Sequence, residues 1–212
     1  RFVTGERTAF ANVTKVRPGS WVRLEELRVT HGRYWEVPRD QGAQRAQWAQ
    51  SDISSQVRER VLASVSARLI ADVPLGALLS GGLDSSVIVA AMRRAGADPL
   101  RTYTVGFEPA HDDERGAARL VARHVGTEHT ETVVSLDAAA LLPEVVWHLD
   151  EPLGDAAALP TLLISRAARE HVTVVLSGEG SDELFLGYPR YLLSRLADRA
   201  LALPEALRGP LF

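Results

Sequence analysis

The stretch from Leu75 to Ala95, LGALLSGGLDSSVIVAAMRRA, constrains the fold of this chain more than any other. A short apolar run, Leu75 to Leu79, ends in Ser80-Gly81-Gly82, and an alanine- and valine-rich segment follows from Asp84. That order predicts strand, tight turn, helix. Two glycines let the backbone fold closely and turn several N–H groups one way. The helix behind them adds its unsatisfied N-terminal donors and the positive end of its dipole. Phosphate fits such a turn. Ser80, Ser85 and Ser86 add hydroxyls, and Asp84 adds a carboxylate that would repel a bare phosphate but would hold a Mg²⁺ riding on one. The loop reads either as a metal-pyrophosphate site or as an Asp/Ser cap on an ordinary crossover helix. It is not a Walker A loop, which needs a lysine at this turn.

The rest of the chain is expected to supply a sheet around that strand. Arg101 to Phe107 reads as a second strand and Asp112 to Val125 as a helix stopped by Gly126. Glu128 to Val134 alternates as a third strand, and Leu136 to Leu149 and Pro160 to His171 read as helices. Val172 to Leu176 is a β-branched run expected to be a buried strand, followed by a helix from about Asp182 to Ala200. Strands alternating with helices predict an α/β fold, an open parallel sheet with helices on both faces. Ahead of it, Ser51-Asp52 offers an N-cap, and Ile53, Val57, Val61, Val65 and Leu69 recur every four residues, as one face of a helix does.

Residues 1–37 carry strand character without a domain's worth of material. Thr8 to Phe10, Ser20 to Leu24 and Tyr34 to Val37 are predicted strands, with turns at Arg17-Pro18-Gly19 and His31-Gly32-Arg33. Such hairpins are not stable alone. They are expected to be the short β-rich remnant of an N-terminal domain, with 38–50 a polar linker and 51–212 the α/β domain.

The second serine-glycine turn, Ser177-Gly178-Glu179-Gly180-Ser181-Asp182-Glu183, repeats the logic of the first. Two such turns at the carboxyl edge of one sheet would face one crevice, where ligands of open α/β sheets sit. Asp84 and Asp182 would then hold one or two Mg²⁺ between them. Glu179, between two glycines, is placed to act on a substrate as a base or to position an amine. Dipole compensation at a helix start is the rival account of Asp182 and Glu183, and the better account of Asp113 and Glu114. Asp150, Glu151 and Asp155 either cap a turn or line a pocket for an acid substrate. The histidines show no metal-ligand spacing, and Trp21, Trp35, Trp48 and Trp147 are expected to be packing anchors.

Composition excludes several classes. At 212 residues and 46% hydrophobic the chain can bury a sizeable core, yet no apolar run approaches the ~20 residues of a membrane span. A net charge of −3 with scattered basic residues gives no nucleic-acid surface. With no cysteine and no secretory signal, a cytoplasmic location is expected. Met92 is the only methionine, so the chain is expected to be a piece of a longer protein. Lys15 is the only lysine, which leaves arginine to carry any positive role.

LLSGGLDSS at Leu78 to Ser86, TVGF at Thr104 to Phe107, LDEPLGD at Leu149 to Asp155 and VVLSGEGSDELF at Val174 to Phe185 together resemble the synthetase domain of the glutamine-dependent asparagine synthetases. Pro18-Gly19 and Arg33-Tyr34-Trp35 extend the resemblance to the end of that family's glutaminase domain. The resemblance implies an adenine nucleotide alpha hydrolase-like fold and ATP-dependent amide formation. A substrate carboxylate attacks the α-phosphorus, pyrophosphate leaves, and an amine displaces AMP from the acyl-adenylate. It implies ATP on Ser80, Gly81, Gly82, Asp84, Ser85 and Ser86, with its base and ribose near Leu79 and Val105 and further contacts at Ser177 and Gly178. It matches Asp84 and Asp182 to magnesium ligands and Glu179 to the residue that manages the incoming nitrogen. The implied substrates are ATP, aspartate or another carboxylic acid, and ammonia made from glutamine in an N-terminal domain outside this chain. The implied setting is asparagine biosynthesis. A homodimer is one open assembly.

Where the family usually has Phe-Gly-Gly-Tyr after the second turn, this chain has Phe185-Leu186-Gly187-Tyr188. The family's N-terminal cysteine nucleophile and its later lysine have no match here, so these 212 residues are expected to bind ATP better than they turn it over. Leu186 hints at relatives that attack the adenylate with an internal amine, the β-lactam synthetases and lasso-peptide cyclases. A catalytically silent nucleotide-binding module is the alternative from another class.

Overall fold

The computed structural model describes residues 3–37, 50–108, 113–135, 138–150 and 154–201. A hairpin comes first, β1 (Ser20–Glu25) and β2 (Arg28–Arg33), followed by helix α1 (Gln50–Arg68). Then come β3 (Leu75–Leu78), α2 (Leu83–Arg94), β4 (Arg101–Glu108), α3 (Arg115–Val125) and β5 (Glu128–Ser135). The chain continues through α4 (Ala138–Leu149), α5 (Ala158–Arg169), β6 (Val174–Leu176), α6 (Ser181–Phe185) and α7 (Pro189–Leu201).

β3 to β6 form one four-stranded parallel sheet in the order β5-β4-β3-β6. Strand alternation gives it two apolar faces. Ala77, Leu79 and Leu176 point to one side, where they pack with Val65 of α1, Val89 and Met92 of α2, and Ala118 and Ala122 of α3. Leu78, Tyr103 and Val175 point to the other, against Ala168 of α5 and Val172. The expected helices on both faces are present. Because α2 and α3 cover one face and α4 and α5 serve the return to β6, the chain changes direction across the sheet between β3 and β6. That is a topological switch point, and it opens a crevice beyond the strand ends.

Several local expectations need correction. The single helix from Asp182 is broken into α6 and α7 at Leu186 to Tyr188. Pro189 has no N–H to continue a helix and takes the first position of the next one, where that loss is harmless. β6 is neither long nor fully buried: it spans Val174–Leu176, bonds only β3 among the described residues, and leaves Val174 40% exposed. α1 already includes Ser51 and Asp52, and only its second half packs on the core, since Ile53 and Val57 remain exposed.

In the hairpin, His31 to Arg33 lie inside β2 and the turn falls at Glu26-Leu27, both at positive φ. Gly32 sits in a strand because the Trp21 indole lies across it, 2.6 Å from where a Cβ would stand. Thr8 to Phe10 is a bend held by the Thr8 hydroxyl, which donates to Phe10 O at 3.0 Å and Val13 O at 2.8 Å. Tyr34 to Val37 is not strand; the Tyr34 and Trp35 N–H groups both donate to Gly19 O. Trp21, Trp35 and Trp147 are exposed rather than buried anchors, Trp147 by 78%. Trp48 and all of the 38–50 linker except Gln50 lie outside the described residues, as do Glu151 and the expected helix starts at Asp112 and Leu136. Among the described residues no helix is long and apolar enough to cross a membrane.

Candidate active site

The crevice at the strand ends is a cleft of about 420 Å³ whose position follows from the switch point. Leu79 and Ser80 after β3, Val105 and Phe107 on β4, and Ser177, Gly178 and Glu179 after β6 form its walls. Asp84 and Ser85 close one side from α2, and Asp182 closes the other from α6. Nine of the residues singled out from sequence therefore share one cavity: Leu79, Ser80, Asp84, Ser85, Val105, Ser177, Gly178, Glu179 and Asp182. Gly81, Gly82 and Ser86 belong to the same loop but stand off the cleft wall.

The first loop is held by its own serines. Ser80 Oγ lies 3.0 Å from Ser85 Oγ and accepts the Gly82 N–H at 3.2 Å. The Ser80 N–H donates to Ser85 Oγ at 3.3 Å, and Ser86 Oγ donates to Gly82 O at 2.6 Å. These hydroxyls shape the loop itself, a role beyond the ligand contact or helix cap that the sequence suggests for them. The N-cap of α2 is Gly82, with no side-chain cap. The simple Asp-cap account of Asp84 is thereby removed: the residue sits in the first turn of α2, makes no cap hydrogen bond and lines the cleft. Gly81 is required on two counts, a φ of 81° and an approach so close that a Cβ would stand 2.4 Å from the Ala117 carbonyl carbon of α3. Underneath, the buried Thr104 hydroxyl donates to Leu79 O and the Leu79 N–H to Tyr103 O at 2.9 Å. Those bonds tie the loop's base to β4.

The second loop is seated directly on the first. A Cβ at Gly178 would stand 2.7 Å from Ser85 N and 2.9 Å from the Asp84 carbonyl carbon. Only a residue without a side chain lets the two turns touch. Ser177 Oγ accepts the Glu179 N–H at 3.4 Å, and Ser181 N–H reaches back to Gly178 O at 3.3 Å. Gly180, at φ 91°, turns the chain into α6. Next to Asp182, Glu183 is turned away and accepts the Tyr188 hydroxyl proton at 2.9 Å. That hydrogen bond holds the Tyr188 phenol above its ordinary pKa.

Glu114, read from sequence as dipole compensation at a helix start, lines the cleft from the start of α3, and Phe107, Pro160, Thr161 and Ile164, not expected at the site, give it a largely apolar side. Phe107 had a legible signal, since it stands two residues beyond Val105 on the same face of β4. Glu114 had none, because its place depends on how α3 returns along the sheet. Its neighbour Asp113 caps locally: Asp113 Oδ1 accepts the Arg115 backbone N–H at 3.1 Å and its carboxylate takes the Arg115 guanidinium at 2.8 Å, which lowers its pKa. Asp155 likewise caps the turn into α5, accepting the Ala157 N–H at 3.1 Å.

A second polar network lies apart from the cleft. His129 Nδ1 lies 2.9 Å from Thr102 Oγ1, which is 2.7 Å from Thr127 Oγ1. Burial holds the imidazole below its ordinary pKa, and the Glu131 carboxylate 3.5 Å from Nε2 opposes that only in part. Arg119 of α3 clamps Glu131 through two bonds at 2.9 and 2.7 Å.

Mg²⁺ is usually held by one or two carboxylates, with water and phosphate oxygens completing its octahedron. Asp84 and Asp182, on turns that meet at Gly178 and open into one cleft, are a donor pair of that kind. The residues present fit the ion.

Fold and cleft together define a parallel α/β domain with its cleft at the sheet's switch point. Residues 56–212 match the asparagine synthase family, and the chain belongs to it. It is 35% identical, over 99% of its length, to asparagine synthetase [glutamine-hydrolyzing] 1 of Bacillus subtilis, of which it covers 35%. It is 43% identical over 69% of its length to a putative asparagine synthetase [glutamine-hydrolyzing] of Mycobacterium tuberculosis, covering 25% of that protein. It is also 32% identical over 95% of its length to the amidase chyE of Penicillium rubens, covering 33% of it. The chain thus spans a quarter to about a third of these curated relatives.

Proposed function

We propose that this chain is the nucleotide-binding core of an ATP-dependent amide ligase that works through an acyl-adenylate. The carrying observation is the contact of the two serine-glycine turns at Gly178, which brings Asp84, Glu179 and Asp182 to one cleft. Family membership of residues 56–212 supports the same reading. ATP lies across the turns, its adenosine toward Leu79, Val105, Ser177 and Gly178 and its phosphates toward Ser80 to Ser86. A carboxylate oxygen of the acid substrate attacks the α-phosphorus, the bond to the β-phosphate oxygen breaks, and pyrophosphate leaves. The amine nitrogen then attacks the acyl carbon and AMP leaves with the bonding pair. Asp84 and Asp182 hold Mg²⁺, which neutralises charge growing on the pyrophosphate. Glu179 takes the proton or orients the lone pair of the incoming nitrogen.

The acid is aspartate and the nitrogen ammonia derived from glutamine, the activity named for two of the relatives. In this reading, 1–37 is the tail of the ammonia-producing domain, 38–50 the connection and 51–212 the ligase domain. ATP–pyrophosphate exchange by the intact protein, run with aspartate and a panel of other carboxylic acids, tests the proposal. Exchange that depends on aspartate is expected; no exchange with any acid overturns the adenylation mechanism. Glu179→Gln should reduce amide formation about 10²- to 10⁴-fold while exchange survives, because exchange needs no nitrogen.

A further inference from the structure

We propose that Gly187 is a positioning residue for the Asp182 carboxylate, an inference that rests on Asp182 holding magnesium. After α6 the chain turns at Leu186, with φ 59° and ψ 39°, and runs back along the helix it has just left. The Gly187 N–H donates to Asp182 O at 3.0 Å. On the side-chain side the approach is closer still. A Cβ on Gly187 would stand 1.9 Å from Asp182 Oδ1 and 3.0 Å from its Cγ, far inside van der Waals contact. The carboxylate therefore occupies the space that glycine leaves.

The backbone of Gly187 does not itself call for glycine, since its φ lies outside the left-handed region. Alanine is conformationally admissible there, and what its methyl meets first is the carboxylate, with the Asp182 Cα 3.3 Å away behind it. An added methyl would turn Asp182 about its own side-chain bonds and leave the fold standing. The other half of the turn secures the neighbour. Tyr188 donates to Glu183 at 2.9 Å, and the Arg190 guanidinium lies over the Tyr188 ring, 4.2 Å from its centre. Of these two consecutive acidic residues, Asp182 lines the cleft and Glu183 does not. Residues that orient a metal ligand typically change metal affinity about 10- to 100-fold when altered.

The experiment measures, by calorimetry on the intact protein, the Mg²⁺ concentration that half-saturates ATP binding, together with the ligand-free melting temperature. Gly187→Ala should raise that concentration about tenfold and leave melting unchanged, and it should add nothing in an Asp182→Asn background. A wild-type Mg²⁺ requirement in Gly187→Ala, beside a raised one in Asp182→Asn, overturns the positioning role. An equal effect of Gly187→Ala in both backgrounds overturns it too. If Asp182→Asn leaves the Mg²⁺ requirement unchanged, the failure lies with the metal assignment and the positioning role falls with it. Should Gly187→Ala not fold, Tyr188→Phe tests the same turn without added atoms. Release of Glu183 should shift the Mg²⁺ requirement at constant melting temperature, and no shift overturns the proposal.

Discussion

Leu186 holds a costly backbone conformation, and the cost can be placed. It closes α6 in the left-handed region, where an L-residue other than glycine or asparagine pays roughly 1–2 kcal/mol. Its side chain is exposed and recovers little by burial. Leu186→Gly should therefore stabilise the protein by about 0.5–1 kcal/mol, once the extra freedom of glycine in the unfolded chain is subtracted. Urea unfolding midpoints check this, and a loss of stability would show that the side chain has a partner. Gly178 gives the opposite case. Gly178→Ala would drive a methyl into the backbone of Ser85 and Asp84, and strain of this kind costs about 1–3 kcal/mol. ATP affinity should fall at least tenfold as the turns separate, a larger change than stability alone explains; calorimetry on the folded variant measures it. The glycines were legible in the sequence as turn residues. That Gly178 and Gly187 serve by leaving room for Asp84, Ser85 and Asp182 was not, because a missing side chain has no pattern until its neighbours are placed.

Among elements, those with a strong period were readable and those whose role depends on position in the sheet were not. β3, β4, β5, α2 and α5 fall within a few residues of where apolar spacing puts them, and Gly126 does stop α3 in the left-handed conformation. The apolar run before Ser177 says strand but says nothing of which neighbour it lacks, so the edge position of β6 was invisible. The break at Leu186 was readable and was passed over: Gly187 and Pro189 are both helix breakers. The pairing of β4 with β5 carries its own prediction through His129. Its folded pKa is depressed by burial, so the unfolded chain binds the proton more readily. This stabilisation is complete above the unfolded value of about 6.5 and is lost as pH falls below it toward the folded pKa. His129→Gln should flatten the fall in stability that sets in below about pH 6.5, read from denaturant midpoints across pH. A slope identical to wild type would remove His129 as its source. Asp113 and Glu131, held low by Arg115 and Arg119, act in the same direction only at more acidic pH.

At the scale of the whole molecule, a ligand that bridges the turns after β3 and β6 joins the centre of the sheet to its weakest strand. Mg-ATP at about a hundred times its dissociation constant should stabilise by about 2.7 kcal/mol, which for a chain of this size is roughly 5–10 °C in melting temperature. The gain should be absent in Asp84→Asn. Amide exchange should slow most at Val175 and Leu176, and uniform slowing across the sheet would argue that the ligand sits elsewhere. The location of the cleft was predictable from the βα order alone, since any such sheet offers its strand ends. Its apolar side, built by Phe107, Pro160 and Ile164, was not, because helices far apart in sequence meet there only after folding. That division bears on how such a cleft changes what it admits. The seam between the turns leaves no room for a Cβ at Gly178, so a change there must move the backbone of Ser85 and Asp84. Variation is channelled instead to the cleft's apolar side, where a library at Phe107, Thr161 and Ile164 should change which molecules the cleft admits while the contact between the turns is left intact.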